Sequence, residues 1–218
     1  REYVQIIENE YTAQAYITTD KADNQITAFH PGAMGQAHTQ AIPTTGFNLG
    51  IVSPDGRDAM ITHAAQFAAA NIPFIFDPGQ GLPMFGGDDL RTFIQQASYV
   101  TVNDYEAALL CERTGWSEAE IASKVQALII TRGGEGATIM TGSEQHHIPC
   151  APVTCITDPT GCGDAFRAGL IYSLQQGYDW PQTGRVAALC GAYCIEQAGT
   201  QNHRFTLKEF MARYDAAF

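Results

Sequence analysis

Residues 158–170, Asp-Pro-Thr-Gly-Cys-Gly-Asp-Ala-Phe-Arg-Ala-Gly-Leu, set a carboxylate, Asp164, directly after Gly161, Cys162 and Gly163 and directly before an apolar helical pattern. Glycine accepts backbone conformations and close approaches that a Cβ hinders, so the N–H groups of 161–163 can converge on an anion where the helix begins. A helix start carries partial positive charge, which attracts phosphate and favours the ionised form of Asp164. Phosphoryl transfer to an alcohol needs both parts: donors for charge on the transferring group, and a base that orients and deprotonates the attacking hydroxyl. The plain alternative is an acidic first-turn residue that stabilises its helix, with the glycines serving a tight turn. The local stretch by itself weighs the two readings equally.

Two further stretches place polar groups at the ends of apolar runs. Asn103 reads as a helix cap, and Glu106, three residues on, completes a capping-box-like start. Thr131-Arg132-Gly133-Gly134-Glu135-Gly136-Ala137 follows another run, and its Arg132 either offers charge to a phosphate or stays solvated. These glycines do not form G-x-G-x-x-G and lead into an edge hairpin, which disfavours a dinucleotide fingerprint and with it a dehydrogenase. The loop G-x-x-x-x-G-K-[ST] is absent and Lys occurs only at 21, 124 and 208, which disfavours a P-loop kinase.

The elements that must position these groups follow from periodicity. Short apolar runs at 47–52, 72–77, 99–103 and 127–131 read as buried parallel strands. Helical patterns at 57–70, 88–97 and 104–113 alternate with them, which argues for a parallel sheet covered on both faces. Residues 137–141 and 144–149, separated by Gly142-Ser143, read as an edge hairpin. Helices near 163–176, 182–197 and 206–217 close the chain, punctuated by Gly177, Pro181 and Gly199. Before all this, 11–20 and 24–29 alternate apolar and polar residues as a small two-stranded flap.

Twelve basic against 23 acidic residues give a formal charge of −11, which opposes binding to nucleic acid or to an anionic membrane surface. No apolar run reaches the roughly 18 to 20 residues that span a bilayer, and no basic-then-apolar leader opens the chain, so a cytoplasmic location is the default expectation. The six cysteines lack a C-x-x-C pair and are expected reduced. Cys190 and Cys194, four apart on a helical pattern, and His146-His147 form a conceivable metal set, against the more ordinary reading of small core residues and a polar loop.

Taken together, three stretches resemble one family. Residues 158–170 look like the C-terminal signature of the ribokinase-like (PfkB-type) sugar and nucleoside kinases, 131–137 resemble their Thr-x-Gly-x-x-Gly nucleotide loop, and 103–106 their Asn-x-x-Glu motif, in the family's order and spacing. The resemblance implies an α/β ribokinase-like fold, a mostly parallel sheet with helices on both faces and a small β lid, with residues 1–30 part of the lid and 31–218 the core. By position, it implies Asp164 as catalytic base and the amides of Gly161, Cys162 and Gly163 as anion hole. Asn103 and Glu106 lie near magnesium and the phosphates, with Glu106 acting through water, and Thr131, Gly133 and Gly136 border ATP. Asp158 and Thr160 stand where some relatives hold a monovalent cation such as K+, although Asp158 equally suits bracing of the loop. Asn202 and His203 would edge the adenine pocket, or simply belong to a loop before the last helix.

Residues 23–34 and 76–85 resemble prokaryotic adenosine and nucleoside kinases, which ranks a nucleoside above a simple sugar as acceptor. Phe29 would stack on a base and His30 contact a ribose, against local packing beside Pro31-Gly32. The lid is expected to exclude water and, by pairing between subunits, to form a homodimer. The family's N-terminal portion, with its Gly-Gly substrate loop and acceptor-binding Asp, is missing from the sequence, which is read as a fragment of a longer protein. The leading expectation is ATP- and magnesium-dependent transfer to the 5'-hydroxyl of adenosine or a related nucleoside. A ribokinase-like sugar kinase and a non-catalytic nucleotide- or nucleoside-binding module are the alternatives.

Overall fold

The computed structural model describes residues 3–19 and 25–218. The chain divides into two compact units, Arg1–Ser98 and Tyr99–Phe218.

In the first unit, β1 (Gln14–Thr19) and β2 (Gln25–His30) pair antiparallel with Gln14 opposite His30. This is the expected flap; its connecting residues 20–24 lie outside the described residues. A parallel pair follows, β3 (Gly50–Val52) with β4 (Phe74–Phe76), linked by α1 (Arg57–Ala69). Phe74, Ile75 and Phe76 are all fully buried. Burial on both faces explains why β4 reads as a continuous apolar run rather than an alternating one. The ladder is shorter than the runs 47–52 and 72–77. Ile72 N–H is taken by Phe67 O at the end of α1, and Pro73 has no N–H to donate. Helix α2 (Gly87–Gln96) then brings Phe93 flat against Phe76, with ring centroids 4.5 Å apart, while Phe85 meets Phe93 edge-on at 5.0 Å.

The second unit holds four strands in the order β5 (Tyr99–Asn103), β6 (Ala127–Thr131), β7 (Ala137–Met140), β8 (Gln145–Ile148). The β5/β6 pair is parallel and the other two pairs are antiparallel, as expected for an edge hairpin. Thr141 and Glu144 close its turn through Thr141 N–H to Glu144 O at 2.8 Å. Between β5 and β6 run α3 (Asp104–Thr114) and a five-residue helix, α4 (Glu118–Ala122). Sequence periodicity misses α4 because one turn and a half has no period to show, yet Ser117 and Glu120 form a complete capping box.

Helices α5 (Cys162–Gln176), α6 (Trp180–Ile195) and α7 (Leu207–Ala217) follow. Helix α6 starts two residues before the expected 182: Asp179 caps it by accepting from Gln182 N–H, and Pro181 sits in the first turn, where its missing donor costs nothing. Val186, Leu189 and Ala192 of α6 gather with Ala151 and Phe210 of α7 in a buried cluster. Burial of a side chain such as Phe210 stabilises the packing by about 1.5–3 kcal/mol. Among the described residues, no helix is long and apolar enough to cross a membrane.

Candidate functional site

Two of the motifs meet at one edge of the second unit. Parallel pairing puts Asn103 opposite Thr131, so the Asn-x-x-Glu turn and the glycine loop leave adjacent strands at the same edge. Asn103 caps α3: its Oδ1 accepts from Glu106 N–H at 2.7 Å, and Glu106 Oε2 accepts from Asn103 N–H at 2.9 Å. The capping function is thus realised in full, and it holds the half-buried Glu106 carboxylate at the helix start.

The glycine loop is a short 3-10 turn, Gly133–Glu135, between β6 and β7. Gly136 adopts φ +87°, and a Cβ there would lie 2.1 Å from Ile148 O. Its glycine is required by the hairpin itself. Gly133, by contrast, faces open space. Its carbonyl accepts from Cys150 Sγ at 3.2 Å, which ties the loop to the chain leaving β8. Arg132 approaches Glu118 at 3.8 Å and Thr138 Oγ1 at 3.5 Å.

From β8 the chain reaches α5 through residues 149–161. Asp158 accepts backbone N–H groups on both oxygens, from Thr160 at 2.9 Å and Gly199 at 2.9 Å. These bonds, Gly199 first, hold its pKa below the ordinary carboxylate value. Bracing of the loop is therefore a real task of Asp158. Gly161 caps α5 in the left-handed region, φ +87°, where a Cβ would lie 2.9 Å from Thr200 Cβ. Cys162 N–H already donates to Pro159 O at 3.2 Å. Gly163 and Asp164 occupy the first helical turn, whose N–H groups have no acceptor within the helix.

Asp164 projects from this turn with its side chain 84% exposed, 3.4 Å from Nη1 of the largely buried Arg167. The same Nη1 would lie 2.8 Å from a Cβ on Gly163, so the guanidinium borders the glycine turn. Sequence reading overlooks Arg167, although its i, i+3 spacing from Asp164 is a legible signal. The Cys162 thiol is pushed up to about 12 by burial and by the neighbouring Cys194. It therefore stays protonated and is no nucleophile.

Beyond α6, Asn202 Nδ2 donates to Ala198 O at 2.7 Å and closes its own loop. His203 lies roughly parallel to Phe205, centroids 6.4 Å apart, and its buried Nδ1 has no hydrogen-bond partner among the described residues. Phe29 and His30 belong to the first unit, where both are exposed at the end of β2. Among the described residues, no three His, Cys, Asp or Glu side chains gather as a metal set. His146 instead approaches Glu144 at 3.2 Å.

A model of the pfkB family of carbohydrate kinases matches residues 1–206. The nucleoside kinase of Methanocaldococcus jannaschii is 32% identical over 209 residues, which make up 95% of this chain and 68% of that protein. The structure of Burkholderia thailandensis nucleoside kinase in complex with inosine superposes with a TM-score of 0.96 at 52% identity, covering 100% of this chain and 72% of that one. The same kinase in complex with ADP-inosine gives a TM-score of 0.95. Fold and site define an α/β phosphotransferase whose acceptor is an alcohol group. The chain belongs to the pfkB family of carbohydrate kinases, with the ribokinase-like fold and its small β lid.

Proposed function

We propose that the protein is a nucleoside kinase that transfers the γ-phosphoryl group of ATP to the 5'-hydroxyl of adenosine or a related nucleoside, with Asp164 as general base. The observation that carries this reading is the exposed Asp164 carboxylate in the first turn of α5, beside Gly163 and the Arg167 guanidinium. The nucleoside kinases from Methanocaldococcus and Burkholderia support a nucleoside acceptor, and the inosine complex favours a purine.

Asp164 takes the proton of the 5'-hydroxyl as that oxygen bonds to the γ-phosphorus, while the bond from phosphorus to the bridging oxygen breaks and ADP leaves. The N–H groups at the start of α5 and Arg167 stabilise the charge on the transferring group. Thr131 and Gly133 on one side, and Asn202 and His203 on the other, border the nucleotide. His203 Nδ1, buried and unpartnered among the described residues, suits a hydrogen bond to it.

A magnesium ion, when bound, neutralises phosphate charge. Asn103 and Glu106 fit an outer position near it, since magnesium is commonly held by one or two carboxylates together with phosphates and water. Each Asp158 oxygen accepts one N–H group and keeps further acceptor capacity, so the carboxylate can brace its loop and still face a monovalent ion. The Thr160 carbonyl, which accepts from Cys194 Sγ at 3.7 Å, is a second candidate there. Phe29 and His30 of the lid are proposed to contact the base and the ribose of the acceptor, and the lid is the proposed dimer contact.

Asp164→Asn should lower kcat by about 10²–10⁴-fold while ATP binding persists, measured by ADP release and calorimetry. Retained transfer would remove Asp164 from the mechanism. A panel of nucleosides and sugars tests the acceptor, and a sugar preferred over adenosine and inosine would reject the nucleoside assignment.

A further inference from the structure

Residues 149–161 reach the phosphoryl site without regular secondary structure, so something else must hold them in register. Glu196, which ends α6, does much of this. Its side chain is only 11% exposed. Oε1 accepts from Thr154 N–H at 2.8 Å and from Thr154 Oγ1 at 3.1 Å. Arg213 of α7 grips both oxygens, Nη1 to Oε2 at 2.8 Å and Nη2 to Oε1 at 2.9 Å. The same Nη2 donates to Pro152 O at 2.8 Å, and the guanidinium lies over the Tyr193 ring at 4.5 Å.

The tether continues along the backbone. Glu196 O accepts from Thr157 Oγ1 at 3.2 Å, and Ile195 O accepts from Thr157 N–H at 2.8 Å and Asp158 N–H at 3.1 Å. Asp158 then binds Thr160 and Gly199. Hydrogen bonds thus run from α7 through Glu196 to Thr160, the residue before Gly161.

We infer that Glu196 and Arg213 are positioning residues for phosphoryl transfer: their ion pair fixes residues 152–154 and, together with the Ile195 and Glu196 carbonyls that hold Thr157 and Asp158, the turn 161–163 and Asp164. The inference rests on the reading of residues 161–164 as the phosphoryl site. An ion pair suits the task because charge-assisted, bidentate bonds are stronger than neutral ones and fix orientation as well as distance. Reacting groups tolerate little displacement, since a misplacement of about 1 Å can cost on the order of 10²-fold in rate.

The test compares the full chain with Arg213→Leu, Glu196→Gln and Arg213→Lys. Steady-state kinetics are combined with hydrogen exchange of the ligand-free proteins, followed over peptides 152–164. Arg213→Leu and Glu196→Gln should lower kcat by about 10-fold or more with the nucleoside KM unchanged, and should speed exchange in 152–164 while β5 and β6 keep their protection. Arg213→Lys keeps the charge but not the fork, and should fall between wild type and Arg213→Leu. Glu196→Gln, nearly isosteric, serves if Arg213→Leu does not fold. Wild-type kcat, ATP KM and exchange in both charge-removing variants, with at most a lower melting temperature, would overturn the inference. Should the wild-type chain show no turnover, exchange over 152–164 alone decides whether the pair holds the segment, whereas failure to bind ATP by calorimetry would sink the kinase reading.

Discussion

Glu106 illustrates how one side chain can answer to two demands. Its Oε2 completes the cap of α3 with Asn103, and its charge stands at the edge where the glycine loop leaves β6. Gln satisfies a capping box as Glu does. Glu106→Gln should therefore change stability by less than about 0.5 kcal/mol in urea unfolding. If the carboxylate also acts toward magnesium, the same variant should need more Mg2+ for half-maximal rate. An unchanged Mg2+ requirement would reduce Glu106 to a cap. Glu196 makes a different demand, because Arg213 first, and then the Thr154 donors, hold its carboxyl below the ordinary value of 4.5. A lowered folded pKa means that its stabilisation is fully present above about pH 4.5 and is lost as pH falls through the lowered value. Wild type should lose melting temperature more steeply than Glu196→Gln as pH drops below that point, read by calorimetry across buffers. Equal slopes would mean that the pair does not contribute.

At the scale of elements, the glycine loop separates a structural requirement from a ligand contact. Gly136 combines φ +87° with a Cβ position 2.1 Å from Ile148 O, whereas Gly133, at φ +53°, has nothing within 4 Å of its Cβ position. Gly136→Ala should cost at least about 1–3 kcal/mol. Gly133→Ala should cost about 1 kcal/mol, the strain of the left-handed region. A rise in ATP KM that exceeds this modest loss would locate the nucleotide at Gly133; no rise would leave that loop purely structural. The same loop shows what was legible. Strands 99–103 and 127–131 are bounded as read, because each is an apolar run with a polar residue at its end. The glycine spacing of 131–137 resembles a nucleotide loop only beside the other two motifs. That Gly136 is demanded by Ile148, 12 positions on, depends on a strand pairing that no local pattern reveals. Glu196 and Arg213 are equally hidden, because they act on chain segments distant in sequence, whereas Arg167 is legible from its i, i+3 spacing to Asp164.

For the whole molecule, charge and periodicity settle broad class early, but association depends on surfaces. The lid hairpin exposes Tyr16 and Ile17, adjacent in β1, together with Ile26 and Phe29 of β2. Adjacent residues of a strand point to opposite faces, so the hairpin presents apolar groups on both sides. Two-stranded hairpins are at best marginally stable alone in water, and their edges invite a further strand. A second copy of the lid answers both problems under two-fold symmetry, where each buried residue counts twice. Burial of one Ile side chain is worth about 1.5–3 kcal/mol. Ile26→Lys should then weaken a lid-mediated dimer by at least about 100-fold, from two lost contacts at 1.4 kcal/mol per tenfold. Sedimentation velocity over a concentration series reads this directly. A monomeric wild type, or a dimer that survives Ile26→Lys unchanged, would show that the lid is not the dimer contact. If its apolar faces instead serve closure over the acceptor, the same variant should raise the nucleoside KM while the monomer remains folded.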